Sequence, residues 1–311
     1  MLVEIVSNKS MFVILLFIAA FLSAGCNLTP SQTDAGSKRR PSLDYGEAKI
    51  LGHISNREIT ESSGIANSAC QPDVLWTHND SGDGNQVFAL NTKGESLGKW
   101  LVAGAANRDW EDIASFKDQK GECYLYISDT GNNGRTRASF DIFRVKEPTV
   151  EQGKTGRFTT ARAETITFSY SDLRHDAEAI FVHPKSAEIY LITKRVSGEA
   201  GVYKIVKGSK VARKVADIGV PSVPNGLITG ADISPDGKRV IVCDYFGGYE
   251  FVLPDDAESF DEIWKVKPRL VDLGTREQGE AVAYSADGLS LYATSEHLNS
   301  PLIMVSRKVE D

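Results

Sequence analysis

Positive charge is scarce in this 311-residue chain: 35 lysines and arginines stand against 42 acidic residues, for a formal net charge of -7. Proteins that neutralise phosphate backbones carry a basic footprint, so this balance argues against a nucleic-acid binder. Long apolar runs are missing as well. The uninterrupted stretch from Met11 to Leu22 stops at 12 residues, too few for a comfortable membrane span. Cysteine occurs four times, and no Cys or His cluster has metal-ligand spacing. Catalytic signatures are equally thin. No nucleophile elbow or Ser-His-Asp motif stands out. Gln152-Gly153-Lys154-Thr155 lacks the upstream glycine of a phosphate loop, because Pro148 stands there. Asp80-Ser81-Gly82-Asp83-Gly84 and Asp129-Thr130-Gly131-Asn132-Asn133-Gly134 lack the spacing and terminal Glu of an EF-hand, and read as turns. With 41% apolar and 25% charged residues, global disorder is excluded.

The 12-residue apolar run fits the core of a signal peptide, weakly flanked by Lys9. It ends in Leu22-Ser23-Ala24-Gly25-Cys26, which resembles a bacterial lipobox with Ser23 where Leu is more usual. The reading is a signal peptide over 1–25, a lipid on Cys26, a Ser/Thr/Gly/Pro-rich tether over 26–44 and one folded domain over 45–311. Each buried acyl CH₂ contributes about 0.8 kcal/mol, so such a lipid holds the domain at a membrane of the bacterial cell envelope. The other reading is a cleaved secretory signal with Cys26 incidental. Export permits a disulfide between Cys70 and Cys123, which precede equivalent strands, and Cys243 in Val240-Ile241-Val242-Cys243 reads as a buried thiol.

The folded part repeats. Ser63-Gly64-Ile65-Ala66, Glu111-Asp112-Ile113-Ala114, Glu178-Ala179-Ile180-Phe181, Ala231-Asp232-Ile233-Ser234 and Glu280-Ala281-Val282-Ala283 each open a strand. Ile65, Ile113, Ile180, Ile233 and Val282 lie 48, 67, 53 and 49 residues apart, the period of propeller blades. Second strands follow as apolar-aromatic runs such as Val74-Leu75-Trp76-Thr77 and Ile189-Tyr190-Leu191-Ile192. Fourth strands are weaker, and the last unit lacks one. The expectation is an all-β propeller of five blades, closed by the strand in Tyr45–Ile54 completing the last blade. Six blades result if the long second unit conceals a partial one. Arg135, Arg137, Lys154, Arg157 and Arg162 within 131–163 read as a solvated loop or a basic flap.

In such a ring, residues opening first strands meet residues closing second strands at one channel mouth. The first set offers Ser63, Glu111, Glu178, Asp232 and Glu280 as metal ligands. Inward carboxylates repel unless a proton or cation intervenes, and oxygen-only donors favour a hard ion such as Ca²⁺. The alternative is that these carboxylates cap strands. The second set offers Asn79, Asp80, Asn132, Tyr245 and Glu296 to a ligand, with Lys194, Arg195, His297, Asp129 and Asp244 as candidate catalytic groups.

Leu75-Trp76-Thr77-His78-Asn79-Asp80-Ser81-Gly82, Asp109-Trp110-Glu111-Asp112-Ile113-Ala114, Asp129-Thr130-Gly131-Asn132-Asn133 and Asp176-Ala177-Glu178-Ala179-Ile180 resemble a group of exported bacterial β-propeller proteins. That resemblance implies the propeller and no particular reaction. One carboxylate per blade around a channel is distantly similar in architecture to five-bladed calcium-activated nucleotidases (apyrases). Two functions follow: a tethered binding module holding a small molecule or partner protein at the mouth, or a calcium-dependent hydrolase of a phosphate or other ester.

Overall fold

The computed structural model describes residues 44–151 and 153–308. The signal peptide, Cys26 and nearly all of the tether lie outside the described residues. Among the described residues, no helix is long and apolar enough to cross a membrane.

The strands form five antiparallel meanders. After β1 (Lys49–His53), the first comprises β2 (Ser62–Asn67), β3 (Leu75–Asn79), β4 (Gln86–Leu90) and β5 (Ser96–Leu101). The second comprises β6 (Trp110–Lys117), β7 (Cys123–Asp129), β8 (Phe140–Lys146) and, after the short β9 (Arg157–Thr159), β10 (Glu164–Tyr170). The third comprises β11 (Ala177–Val182), β12 (Ile189–Arg195), β13 (Ala200–Ile205) and β14 (Val211–Ile218). Following β15 (Gly226–Leu227), the fourth comprises β16 (Gly230–Ile233), β17 (Arg239–Cys243), β18 (Gly248–Val252) and β19 (Arg269–Val271). The last comprises β20 (Gly279–Tyr284), β21 (Ser290–Ser295) and β22 (Pro301–Ser306). Its outer strand is β1, paired antiparallel with β22, so the two ends of the domain close the ring.

Closure has a polar lock. Glu250 of β18 is fully buried and accepts hydrogen bonds from the hydroxyls of Tyr45 (2.6 Å) and Tyr284 (2.9 Å). Arg239 and Arg307 both stand 3.7 Å from the same oxygen, so groups from both chain ends converge on one carboxylate.

Five apolar cores lie between the meanders, one for each neighbouring pair around the ring. Successive residues of one strand feed different cores. In β11, Ile180 and Val182 face the second meander, whereas Ala179 and Phe181 face the fourth. A strand buried on both faces needs apolar residues at every position, which is why these segments read as continuous runs rather than alternating ones. This arrangement is a β-propeller.

The segment over 131–163 is not a flap. It supplies β8 to its own meander and β9 to the first, where β9 pairs parallel with β5. Its basic residues are dispersed: Arg137 binds Asp129, Lys154 binds Glu151 and Arg157 lies 3.6 Å from Glu58. Cys70 and Cys123 form a disulfide with Cα atoms 6.1 Å apart, tying the β2–β3 turn to the start of β7. Cys243 is a buried free thiol, and burial pushes its pKa up to about 12.

Candidate metal centre

The opening residues of the inner strands pair with the closing residues of their partners. Ser62 stands opposite Asn79, Trp110 opposite Asp129, Ala177 opposite Thr193 and Gly279 opposite Ser295. Directly after each of these pairs the register slips by one. The extra residues are Ser63, Glu111, Glu178 and Glu280. A bulge places two residues against one, bends the strand and re-aims the extra side chain. It also resets the alternation: Ala177 packs in the same core as Ile180 and Val182, out of step with strict period two. The inserted glutamate is thereby turned from a sheet face toward the mouth.

β16 has no such slip, and its equivalent residue, Ala231, packs in the core between the third and fourth meanders. Asp232, grouped on the sequence with the mouth ligands, turns the other way. It lines a 350 Å³ cavity at the far end of the channel, and its oxygens accept from the backbone N–H groups of Ile233 and Tyr284, both at 2.8 Å. It is a tie between β16 and β20. Asp112 does the same work more fully, accepting from Ile113 (2.8 Å), Ile180 (3.0 Å) and Ala231 (3.4 Å) on three different inner strands. Gly64 faces it across the channel wall, where a Cβ would come within 2.6 Å of the Asp112 carboxylate. Ser63 is likewise a tie rather than a mouth ligand, donating to the Glu111 carbonyl at 2.6 Å.

The mouth itself gathers two overlapping groups of carboxylates. Asp80, Asp109 and Glu111 each offer an oxygen within 4.8 Å of the others, and so do Glu111, Asp176 and Glu178. Asp109 and Asp176 were not among the sequence candidates. They stand two residues before Glu111 and Glu178, so a repeated Asp-x-Glu at the start of a first strand was the signal available. In the fifth meander Gln278 fills the equivalent place and donates to Glu280 at 3.1 Å.

Burial raises every one of these pKa values, and mutual repulsion adds to it at Asp80, Asp109, Glu111 and Glu178. Burial pushes Glu111 well above the ordinary range, and Glu178, Asp80, Asp109 and Asp176 add to it. Burial takes Glu178 to about 8, with Lys194 opposing and Asp176 and Glu280 reinforcing. Burial also raises Asp80, to about 6. Glu280 reaches about 8 by burial and by hydrogen bonding to Glu296. Against these stands Lys194, whose Nζ donates to Glu178 at 2.7 Å and lies 5.5 Å from the Tyr245 ring centre. Burial works against the Lys194 charge, but Glu178 outweighs it and keeps the ammonium protonated.

Glu111 is the exception in its surroundings. It is 4% exposed, and its carboxylate has no hydrogen-bond or ion-pair partner among the described residues. The chain gives way around it at Gly131, where a Cβ would come within 2.0 Å of Glu111 Oε1 and 2.3 Å of the Asp109 carboxylate. A buried carboxylate left without a donor is costly unless a cation or proton meets it.

The other candidates are otherwise employed. Asn79 holds the loop before β2, accepting from Thr60 and Glu61 and donating to the Glu58 carbonyl. Asn132 accepts from Thr136 and Arg137, and its backbone N–H donates to Asp176 at 2.6 Å, positioning that carboxylate. Asp129 is paired with Arg137 at 3.0 Å, and Asp244 caps the β17–β18 turn through Phe246, Gly247 and Tyr249. Arg195 donates to the Ser197 carbonyl, and His297 stands exposed on the rim, 3.9 Å from Glu277. Asp80 and Glu296 therefore join the carboxylates at the mouth, with Lys194 and Tyr245 beside them.

No family model matches the chain, and no curated protein matches it. Among solved structures it is similar to hydrazine synthase of Kuenenia stuttgartiensis, at 16% identity and a TM-score of 0.39. The match covers 79% of this chain and spans 58% of that one.

Proposed function

We propose that this protein is a binding propeller that uses a divalent cation, calcium by preference, to hold a ligand or partner at its channel mouth. The observation that carries this reading is the unpartnered Glu111 carboxylate at the junction of two acidic groups. Oxygen donors from separate loops and strand bulges, with no imidazole or thiolate among them, suit the six to eight flexible contacts of Ca²⁺ better than the strict octahedron of Mg²⁺. The cation would neutralise the carboxylates and present open coordination positions to an incoming oxygen ligand.

The same reading extends to an exported domain anchored through a lipid on Cys26, with a signal peptide over 1–25. The Cys70–Cys123 disulfide supports an oxidising compartment outside the cytoplasm. Binding is favoured over ester hydrolysis because Asp129, Asp244, Arg195 and His297 are engaged elsewhere or face solvent, and Lys194 is committed to Glu178. A screen of phosphoesters, nucleotides, lactones and glycosides, each with calcium and with EDTA, tests the choice. Calcium-dependent binding without turnover is expected. Calcium-dependent turnover would replace this reading with the hydrolase.

A further inference from the structure

Three features outside the ties of the fold invite a use. One is the 570 Å³ groove between the second and third meanders, whose walls mix Lys120, Lys185, Lys207 and Lys210 with Asp118 and Glu164. Another is the far-end cavity lined by Asn67, Ser115, Ser234 and Ser285. Among the described residues, neither aims an unpartnered buried carboxylate at its interior. The mouth does.

We propose that the mouth holds two divalent cations, not one, with Glu111 bridging them. This inference rests on the cation-binding reading above and adds to it the number of ions and the role of Glu111. The first cation would take Asp80, Asp109 and Glu111; the second would take Glu111, Asp176 and Glu178.

Three observations support this. The first is spacing. Oxygens within 4.8 Å of one another fit around one ion at calcium–oxygen distances of about 2.4 Å, and this condition is met twice with a single shared residue. A shared carboxylate sets two ions roughly 4 Å apart, the separation of known two-metal sites. The second is charge. The five carboxylates of the two groups, with Glu280 and Glu296 beside them, outnumber the Lys194 ammonium by more than one divalent cation offsets. Arg137 is paired with Asp129 and partly offsets the charge around Asp109. One cation in the second group would leave Asp80 and Asp109, both half-buried, without a counter-ion.

The third is the state of Glu111 itself. Asp80 accepts from the Ser81 N–H, Asp176 from the Asn132 N–H and Glu178 from Lys194, so each has one donor and an oxygen to spare. Glu111 has none, and it alone belongs to both groups. A bridging carboxylate needs both oxygens unencumbered. Gly131 keeps the opposing backbone clear of them, since any side chain there would collide with Glu111 and Asp109 together.

The test is ion stoichiometry on the full chain. Protein stripped with EDTA would be titrated with Ca²⁺ by calorimetry, and bound calcium counted by elemental analysis after dialysis. Two ions per chain are expected, falling to one in Asp80→Asn and to one in Asp176→Asn, with circular dichroism checking that each variant is folded. A single ion in the unaltered protein would overturn the pair while leaving the cation-binding reading intact. No bound ion would overturn both. A second measurement needs no variant: with Tb³⁺ and Eu³⁺ loaded together, ions this close transfer excitation efficiently. Absence of transfer at full occupancy would also contradict the pair.

Discussion

Four of the five inner strands slip register one residue from their start, and β16 does not. The inner-strand glutamates at the mouth follow from that difference. Glu111, Glu178 and Glu280 occupy the extra position of their bulges, whereas Ala231, at the same point of β16, packs between two sheets. The acid of the fourth meander, Asp232, lies one residue further along and faces the opposite end of the channel. The side-chain chemistry of the mouth is thus set by a backbone irregularity. A glutamate at the extra position of a bulge reaches the mouth, whereas Asp112 and Asp232, one residue further along, tie inner strands together.

The sharpest way to break this comparison is to give β16 a mouth-type residue. Ala231→Glu adds a carboxylate where no bulge can turn it outward, so it enters the core of Ala179, Ile233 and Val242. The expected loss is about 3–5 kcal/mol, the cost of an uncompensated buried charge, with no added calcium bound. Urea unfolding and ion counting measure the two. A stable variant with extra calcium capacity would show that the bulge is not what sorts these residues.

Next come the ties. Asp112→Ala removes an acceptor shared by three inner strands and leaves buried N–H groups of Ile180 and Ala231 unsatisfied. A loss of about 2–4 kcal/mol is expected by urea unfolding, because each orphaned group costs about 1–3 kcal/mol. Cys70→Ser opens the 53-residue disulfide loop, and about 2–4 kcal/mol is expected to go with it. Neither variant is expected to lose calcium binding, and a loss in both would move those positions into the site.

A bulged residue should behave in the opposite manner. Glu178→Gln removes one ligand of the second group only, so its response to calcium should shrink to that of the first group. The pH dependence sharpens this. Glu178 and Glu280 have folded pKa values raised to about 8 from 4.5. Between those limits the folded state keeps protons that the unfolded chain releases, so the stability of the cation-free protein falls as pH rises from about 4.5 to 8. Thermal melts in EDTA at pH 5 and pH 8 should show the decline, and Glu178→Gln should lessen it, with Glu280 keeping the rest.

Much of the architecture was legible in the sequence. Runs apolar at every position identified strands buried on both faces, and Tyr45–Ile54 was assigned to the last sheet because that sheet was one strand short. The pairing of β1 with β22 bears this out. The site was legible only in part. Glu111 and Glu178 were found by their repeat position, but the bulges that aim them have no signature in hydrophobic pattern. Asp232 looked equivalent to them because a one-residue difference in register is invisible until the pairing is known. Asp109 and Asp176 precede their strands and fall outside a search confined to strand residues. Asn79 and Asn132 were legible as polar groups at the mouth, yet their hydrogen bonds close loops, and such contacts depend on loop geometry that spacing does not encode.

The central claim is that the acidic mouth is a cation site, and a thermal melt tests it most directly. Residues 45–311 would be melted in EDTA, then with excess Ca²⁺ and with excess Mg²⁺. A ligand at 100 times its Kd that binds only the folded state stabilises by about 2.7 kcal/mol. The account predicts a clear rise in melting temperature with calcium, a smaller one with magnesium, and no calcium effect in Glu111→Gln. Identical melts in all three conditions would contradict it.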